Sequence, residues 1–428
     1  MKQVYVVKKS NLFVFLVSKL VCFSKRFSVK RKIVFDFPKT MFRHTPVIIL
    51  SDHSTFESYF SAASYYPWTK SFHAVVGLMN FKKNVPGFLV KGLNCIPMKS
   101  YVPDLPALFN MTKVIKAGHS LLLFPEGINS YCGMTQPIFP ATASFLKQMQ
   151  VDVVVARTDG AFLSKPTFCR GKRKGGTAET HFSHLFSKEE LSEKSMPEIE
   201  EKLTEALRYN DFLWNAERHY RYFGKLPLAT GLEKILYLCP KCAGENTLYT
   251  RDNKIICKKC GNTVLVNEEY GLVPENDITI LPYKRIDEWY VTCRKHIRQK
   301  IRKCNDCVFS FEVRFNKYDE RFGRKMFVPE GEGTFTVDVK GIKYHGTRSG
   351  SEWDYFVPIQ RISGASNRGH KYLVIYDAGE TMVFEFSGCN ADIVMAEAAI
   401  EEFHALVDKA WDTAIMRAYF QEEIKNVE

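Results

Sequence analysis

Four cysteines stand in two close pairs, Cys239-Pro-Lys-Cys242 and Cys257-Lys-Lys-Cys260, with 14 residues between the pairs. Two Cys-x-x-Cys knuckles at this spacing can close a tetrahedral shell of thiolates around zinc, and Gly261 permits the tight turn after the second pair. Four protein ligands leave no coordination position open for a substrate. We therefore predict a structural zinc site, whose binding energy substitutes for a core that about 40 residues cannot build.

A second group of candidate ligands follows in the chain. Cys293 and His296 form a Cys-x-x-His pattern, and Cys304 and Cys307 form a further Cys-x-x-Cys pattern. The stretch from Glu288 to Lys303 is also typical of one basic helix, so a second metal site and a plain helix are both open interpretations.

His53 is the candidate catalytic residue. It follows the apolar run 47–50, and a second apolar run, 121–124, leads into Pro125-Glu126-Gly127. Active-site residues of parallel sheets emerge at the carboxyl ends of strands, so the two loops are expected at one edge of a sheet. A lone histidine is more often a satisfied surface or core imidazole, and it is the second loop that favours a function.

Four sequence blocks together resemble those of the lysophosphatidic acid acyltransferases, a family of glycerolipid acyltransferases. That family has a His-x4-Asp block after a strand, a glycine-to-basic block, a Phe-Pro-Glu-Gly-Thr-Arg-Ser block and a strand-to-glycine block. The corresponding segments here are 53–58, 92–100, 124–130 and 153–161. The resemblance covers about residues 30 to 225, with order and spacing preserved.

The resemblance implies acyl transfer with an imidazole base, because a lysophospholipid hydroxyl has too high a pKa to attack a thioester unaided. His53 matches that base. An ungapped alignment puts Ser58 at the family's aspartate position, and Glu57 lies one residue earlier. If His53 begins a helix, Glu57 at i+4 shares its face, so Glu57 is the expected orienting carboxylate.

The resemblance also implies the binding residues and the substrates. Glu126 and Gly127 match the family's acceptor-binding residues, Asn129 stands where the family has arginine, and the basic position of the second block is Lys99 or Ser100. Lys99 can neutralise a phosphate but lacks the bidentate fork of arginine. The implied reaction moves a fatty acyl group from acyl-CoA or acyl-carrier protein to a lysophospholipid such as 1-acylglycerol 3-phosphate, in phospholipid biosynthesis.

An α/β domain over residues 36–225 is expected to position these loops. Apolar runs alternate with helix-like segments between residues 47 and 156, which is typical of a mainly parallel sheet buried on both faces. Ser187 and Ser195 open capping boxes with Glu190 and Glu198. A helix is predicted between Asp104 and Gly118. Its apolar face would consist of Leu105, Leu108, Phe109, Thr112 and Ile115.

Three further units are predicted: a zinc ribbon at 226–275, a linker helix at 276–305 and a mostly antiparallel β domain at 306–428. Period-two alternation from Phe309 to Phe315 indicates half-buried strands. A single final helix is predicted from about Asp392 to Phe420. Its buried stripe would consist of Ala396, Ile400, Phe403, Val407, Ala410 and Trp411. Strands closed by one helix resemble a pleckstrin-homology-like or GRAM-like barrel in architecture.

The composition places the protein in a reducing compartment. A hydrophobic share of 45% and a charged share of 25% over 428 residues are ordinary for a globular protein and exclude disorder and collagen. Twelve cysteines in 428 residues are too dilute for a disulfide scaffold, and this is the observation that favours a reducing compartment.

Residues 1–35 are predicted to lie on a membrane surface. They hold nine basic residues and no acidic residue, so they contribute nine of the 13 net positive charges of the chain. The apolar stretch from Leu12 to Phe23 is shorter than the roughly 20 residues that span a bilayer, and a surface-lying helix is favoured over a buried helix or a signal peptide. We therefore expect a peripheral or monotopic protein on the cytoplasmic face of a membrane.

Two rival functions stay open beside the acyltransferase. The shifted carboxylate and the missing arginine allow a binding or regulatory protein on an acyltransferase scaffold. A nucleic-acid-binding protein would use the ribbon and the basic surface, but nucleic acid is an unlikely partner because aromatic residues are sparse near the cysteine pairs. A basic loop could face lipid headgroups or only solvent. It consists of Arg170, Lys172, Arg173 and Lys174.

Overall fold

The computed structural model describes residues 5–8, 10–25, 30–38, 46–65, 72–82, 84–169, 171–304, 306–318 and 327–421. Three of the nine basic residues in 1–35, Lys2, Lys9 and Arg26, lie outside these ranges, as does Arg170 of the basic loop.

A seven-stranded sheet forms the centre of the first domain. Its strands are β1 (Lys30–Phe35), β2 (Val47–Ser51), β3 (Phe72–Gly77), β4 (Ile96–Met98), β5 (Ser120–Leu123), β6 (Asp152–Asp159) and β7 (Thr177–Phe186). Their order across the sheet is β1-β7-β6-β2-β5-β3-β4. β2 pairs in parallel with β5 and β6. β7 is antiparallel to β6 and pairs in parallel with β1. The prediction of a mainly parallel sheet is confirmed, and β2 is buried along its whole length.

Helices cover both faces of this sheet. They are α1 (Leu12–Lys25), α2 (Phe56–Tyr65), α3 (Asn84–Gly92), α4 (Leu105–Lys116), α5 (Ala141–Met149), α6 (Ala161–Ser164), α7 (Lys188–Glu193), α8 (Met196–Leu207) and α9 (Asp211–Arg218), with a 3₁₀ turn at Leu78–Lys82. The capping boxes at Ser187 and Ser195 are formed, and α8 buries Ile199, Leu203 and Leu207 as expected.

The predicted apolar face of α4 is wrong. Asp104 caps the helix by accepting the backbone N–H of Ala107, as expected, but Leu105 and Phe109 are 72% and 60% exposed. The helix packs on β4 and β5 and buries Ala107 and Val114 instead, and only Ile115 of the predicted face is buried. The small alanine allows this side to approach the sheet closely, which the longer side chains of the predicted face do not.

The cysteine pairs lie in a small antiparallel sheet followed by a long helix. The strands are β8 (Leu248–Arg251), β9 (Lys254–Cys257), β10 (Thr263–Val266) and β11 (Leu272–Pro274), and the helix is α10 (Ile286–Lys303). Two hydrogen bonds join α10 to the segment just before the first cysteine pair. The Trp289 indole donates to the Leu238 carbonyl at 2.8 Å, and the Tyr237 hydroxyl donates to the Cys293 carbonyl at 2.7 Å.

The C-terminal region is an antiparallel sheet with two helices. Its strands are β12 (Phe309–Tyr318), β13 (Phe327–Asp338), β14 (Gly341–Arg348), β15 (Ser351–Pro358), β16 (Ser366–Arg368), β17 (Tyr372–Asp377) and β18 (Glu380–Phe386), in the order β15-β14-β13-β12-β18-β17-β16. The alternation predicted for β12 is confirmed, because Phe309, Phe311, Val313 and Phe315 are all buried.

The single final helix predicted for this region is wrong. α11 (Asp392–Ala405) and α12 (Lys409–Tyr419) are separate helices. The Asp408 carboxylate accepts the backbone N–H groups of Ala410 and Trp411 and so begins α12 in a new direction. Val407 and Ala410 are therefore exposed, although the other residues of the predicted stripe are buried.

One continuous core joins regions that are distant in the chain. Tyr131 of the first domain, Tyr237, Trp289 of α10 and Phe403 of α11 belong to the same buried cluster. The C-terminal helices consequently pack on the segment that follows the Glu126 loop.

Candidate functional site

Asp52 organises the end of β2. Its Oδ1 accepts the Thr158 backbone N–H at 2.7 Å, and its Oδ2 accepts the Ser58 hydroxyl at 2.7 Å and the Ser54 N–H at 3.2 Å. The carboxylate thus ties β2 to β6 and to the first turn of α2. Burial raises the pKa of Asp52 to about 6. Sequence reasoning passed over this residue, and the available signal was an acidic residue directly after a buried strand.

His53 is held by its backbone. Its N–H donates to Glu126 Oε1 at 2.7 Å, and its carbonyl accepts the Ser130 N–H at 2.9 Å. The ring lies against Phe124 with centroids 4.6 Å apart. Burial lowers the pKa of His53 to about 4, so the imidazole is neutral at neutral pH. Within the described part of the chain, its buried Nδ1 has no hydrogen-bond partner.

Glu126 fastens the two loops together. One oxygen accepts the His53 N–H, and the other accepts the Gln136 N–H at 2.7 Å and the Tyr209 hydroxyl at 3.2 Å. The side chain is buried, and burial raises its pKa to about 8. Gly127 follows with a φ of +69°, and a Cβ there would collide with the Phe139 ring. Both residues therefore shape the loop, a role that sequence reasoning did not assign to them.

Glu57 is bound by cations and is not brought to the histidine. Arg31 Nη2 lies 2.7 Å from one oxygen and Lys165 Nζ 3.6 Å from the other. The side chains of Arg31 and Glu57 are only 3% and 2% exposed. Ser58 likewise faces away, since it bonds to Asp52. Neither of the two positions considered for the orienting carboxylate, 57 and 58, therefore supplies a carboxylate that bonds to His53 Nδ1.

The two remaining candidates lie on the neighbouring loops. The Lys99 backbone N–H donates to Asp104 at 2.8 Å at the end of β4, and in the described ranges its ammonium forms no ion pair. Asn129 directly precedes Ser130, which bonds to the His53 carbonyl. The buried Oδ1 of Asn129 has no hydrogen-bond partner among the described residues. Unsatisfied polar atoms of His53 and Asn129 thus lie in two loops that bond to each other.

The four cysteines of the ribbon can hold a metal ion. Their Sγ atoms all lie within 4.8 Å of one another, with 3.7 Å between Cys239 and Cys260 and 3.8 Å between Cys242 and Cys257. Four thiolates at about 2.3 Å from one tetrahedral ion would be separated by about 3.8 Å. The two Cys-x-x-Cys knuckles also have the same backbone geometry. Ala243 and Gly261 both adopt positive φ, and their N–H groups donate to the Cys239 and Cys257 carbonyls, respectively, at 3.0 Å.

The second group of candidate ligands does not assemble. Cys293 is buried in the core, and His296 Nε2 lies 2.7 Å from Glu245. Across the residues that the structure describes, the ribbon cysteines are the one cluster able to hold a metal. The basic-helix interpretation of Glu288 to Lys303 is confirmed by α10.

α1 exposes an apolar stripe. Four residues spaced along one face are 44–70% exposed: Leu12, Leu16, Leu20 and Phe23. Val14 on the opposite face is buried, and Lys19, which is buried beside the stripe, donates its ammonium to the Ala63 carbonyl at 3.0 Å. Over the described ranges, no helix has both the length and the apolar character needed to cross a membrane.

Comparison with solved structures finds the 1-acyl-sn-glycerophosphate (LPA) acyltransferase PlsC from Thermotoga maritima. The similarity covers 44% of this chain and 76% of that chain, at 13% sequence identity and a TM-score of 0.37. No family model matches the chain, and no curated protein does.

Proposed function

We propose that this protein is an acyltransferase that moves a fatty acyl group from acyl-CoA or acyl-carrier protein to a lysophospholipid such as 1-acylglycerol 3-phosphate. The interlock of the His53 and Glu126 loops carries the proposal. The hydrogen bonds from His53 to Glu126 and from Ser130 to His53 join the loop that carries the neutral imidazole to the loop that carries Asn129, at the carboxyl edge of parallel strands. Ligands of α/β sheets bind at such edges.

The proposed chemistry follows from the state of His53. The acceptor hydroxyl attacks the thioester carbon, a new C–O bond forms, and the imidazole takes the hydroxyl proton as the C–S bond breaks. The proton then passes to the departing thiolate. A neutral imidazole is ready for this step at neutral pH, and the polar atoms of Asn129 can hydrogen-bond the acceptor.

The surroundings of the site fit a membrane substrate. We propose that the apolar stripe of α1 lies in the headgroup region of the cytoplasmic face of a membrane, with the basic flank beside anionic lipids. We also propose that the ribbon metal is zinc with a structural role, and that the C-terminal domain is pleckstrin-homology-like, since one antiparallel sheet there packs on α11.

A second candidate is a lipid-binding or regulatory protein without turnover. It is favoured by one observation: among the described residues no carboxylate bonds to His53 Nδ1, and Glu57 is engaged by Arg31. An imidazolium formed during catalysis would lack the support of a paired anion.

Purified full-length protein is incubated with a panel of lysolipids and with both acyl donors, and products are measured by mass spectrometry. We expect a diacyl product from the parent protein and none from His53→Ala. His345→Ala is the matched control, because this histidine is exposed on β14. Lysolipid binding without product from any donor would establish the second candidate. Activity retained by His53→Ala would exclude the proposed mechanism.

A further inference from the structure

A cavity of about 250 Å³ lies between the first domain and the C-terminal helix α12. Its walls come from α5, α8 and α9 on one side and from α12 on the other. On α12 the lining residues include Ala410, Ala414 and Ala418, which recur every fourth residue and leave the space between the helices unfilled. This cavity forms only where residues 134–213 pack against α12.

The lining is largely apolar, and its charged residues are Arg208, Arg417 and Glu200. Ile138, Phe139 and Leu203 contribute apolar surface, and the guanidinium groups of Arg208 and Arg417 reach solvent at the margin. Arg417 pairs with Glu200 at 3.4 Å, and Arg208 pairs with the exposed Glu205 at 3.0 Å. Both pairs are partly open to solvent, which weakens them, so an anionic group that binds both arginines can displace the glutamates.

We propose that this cavity binds a single-chain amphiphile with an anionic head, either a fatty acid or a lysophosphatidic acid. The alkyl chain occupies the space beside the alanines of α12, and the carboxylate or phosphate contacts Arg208 and Arg417. Burial of the chain supplies most of the affinity, and the arginines fix its orientation. The inference does not depend on the proposed acyltransferase activity.

The cavity wall is bonded to the His53 loop. Gln136 lines the cavity, donates its backbone N–H to Glu126 and accepts the Tyr419 hydroxyl of α12 at 2.8 Å. Tyr209 also lines the cavity and donates to Glu126, whose other oxygen holds His53. Two residues of the cavity wall therefore bond to Glu126, and Glu126 in turn bonds to the candidate histidine.

Binding to the full-length protein is measured by displacement of a fluorescent fatty acid, with palmitate, hexadecanol and 1-palmitoyl lysophosphatidic acid as competitors. We expect saturable displacement by at least one of the two anionic lipids, with one cavity site per chain beside any acceptor site at His53, and the lipid whose displacement the cavity variants weaken identifies the head. Arg208→Met with Arg417→Met should weaken that lipid about tenfold or more, as expected for loss of charged hydrogen bonds. Hexadecanol binding should change little.

Filling the cavity is the second arm. Ala414→Phe should reduce binding about tenfold or more, since each 1.4 kcal/mol is a factor of ten. Ala216→Phe is the matched control, because Ala216 is exposed on α9 and does not line the cavity. If Ala414→Phe unfolds, Ala418→Phe one turn later replaces it. The proposal is overturned if neither lipid binds or if the folded filled variant binds like the parent. His53→Ala should bind normally, so failed turnover and failed binding are distinguishable.

Discussion

A partly buried imidazole with a lowered pKa can act as a base at a lower pH than an ordinary histidine. Because burial lowers the pKa of His53 to about 4, the neutral form is present at every pH above that value. We expect the acidic limb of kcat/KM to fall near pH 4, and not near the ordinary histidine value of about 6.5. A pH–rate profile of the acyl transfer measures this. An acidic limb near 6.5 would contradict the buried, unpaired state of His53.

The same pKa shift predicts a change in stability. The folded state holds His53 neutral down to about pH 4, whereas the unfolded chain binds a proton below about 6.5, so unfolding takes up a proton between these values. The contribution of His53 is therefore unfavourable at low pH, and stability rises as the pH increases through this window. Urea titrations at several pH values should show stability depending more positively on pH in the parent protein than in His53→Gln, because the opposing contributions of the raised pKa values of Asp52 and Glu126 are present in both.

Glu57 is expected to act on stability and not on the histidine. Glu57→Gln removes the charge of one partner of a buried ion pair with Arg31, which should lower the free energy of unfolding by about 3 kcal/mol or more. The activity per folded molecule should stay near that of the parent, because Arg31 and Lys165 hold this carboxylate. Denaturant titration and kcat together test this. Lys165→Met, which removes the more exposed partner, should cost less than about 1 kcal/mol. Unchanged stability with lost activity would restore Glu57 as the orienting carboxylate.

At the scale of elements, the metal ribbon should stabilise more than its own strands. Cys239→Ser should release the metal, and protection from hydrogen exchange should fall both in residues 239–262 and in α10, because Trp289 and Tyr237 join the two. Loss of one ligand from a structural zinc site should lower the free energy of unfolding by about 5 kcal/mol or more. Cys389→Ser is the control, since this cysteine is exposed and outside the cluster. Freshly purified protein without metal would refute the zinc prediction.

At the scale of the whole molecule, buried ion pairs join the linker helix to the C-terminal helix α11. Arg294 lies 2.7 Å from Glu401 and 3.6 Å from Glu402, and all three are buried. Glu397 of the same helix accepts the Tyr131 hydroxyl of the first domain. Arg294→Met should remove the ion pair of the buried Glu401 carboxylate, while Glu402 keeps its pair with Arg298, and should cost about 3–5 kcal/mol. Calorimetry should still show one unfolding transition, because the core is shared. Arg302→Met, at an exposed pair with Asp412, is the control and should change little. Two separate transitions in the parent would contradict the shared core.

Features decided by neighbouring residues could be predicted from the sequence. The Cys-x-x-Cys knuckles, the capping boxes of α7 and α8 and the alternation of β12 depend on spacings of two to four residues, and these spacings act through local backbone geometry. The position of the His53 and Glu126 loops at the same edge of the sheet was also predictable, since buried parallel strands present their carboxyl ends at one edge.

Only the tertiary structure decided which partner each side chain meets. The sequence by itself placed Glu57 one helical turn from His53, yet Arg31, distant in the chain, takes the carboxylate because a buried charge needs an opposite charge. The buried face of α4 and the break between α11 and α12 depend in the same way on neighbours that no local pattern contains. The cavity at α12 exists because two segments more than 200 residues apart pack together, as in the pairing of Arg417 with Glu200. Spacing determined the motifs, and long-range packing determined their contacts.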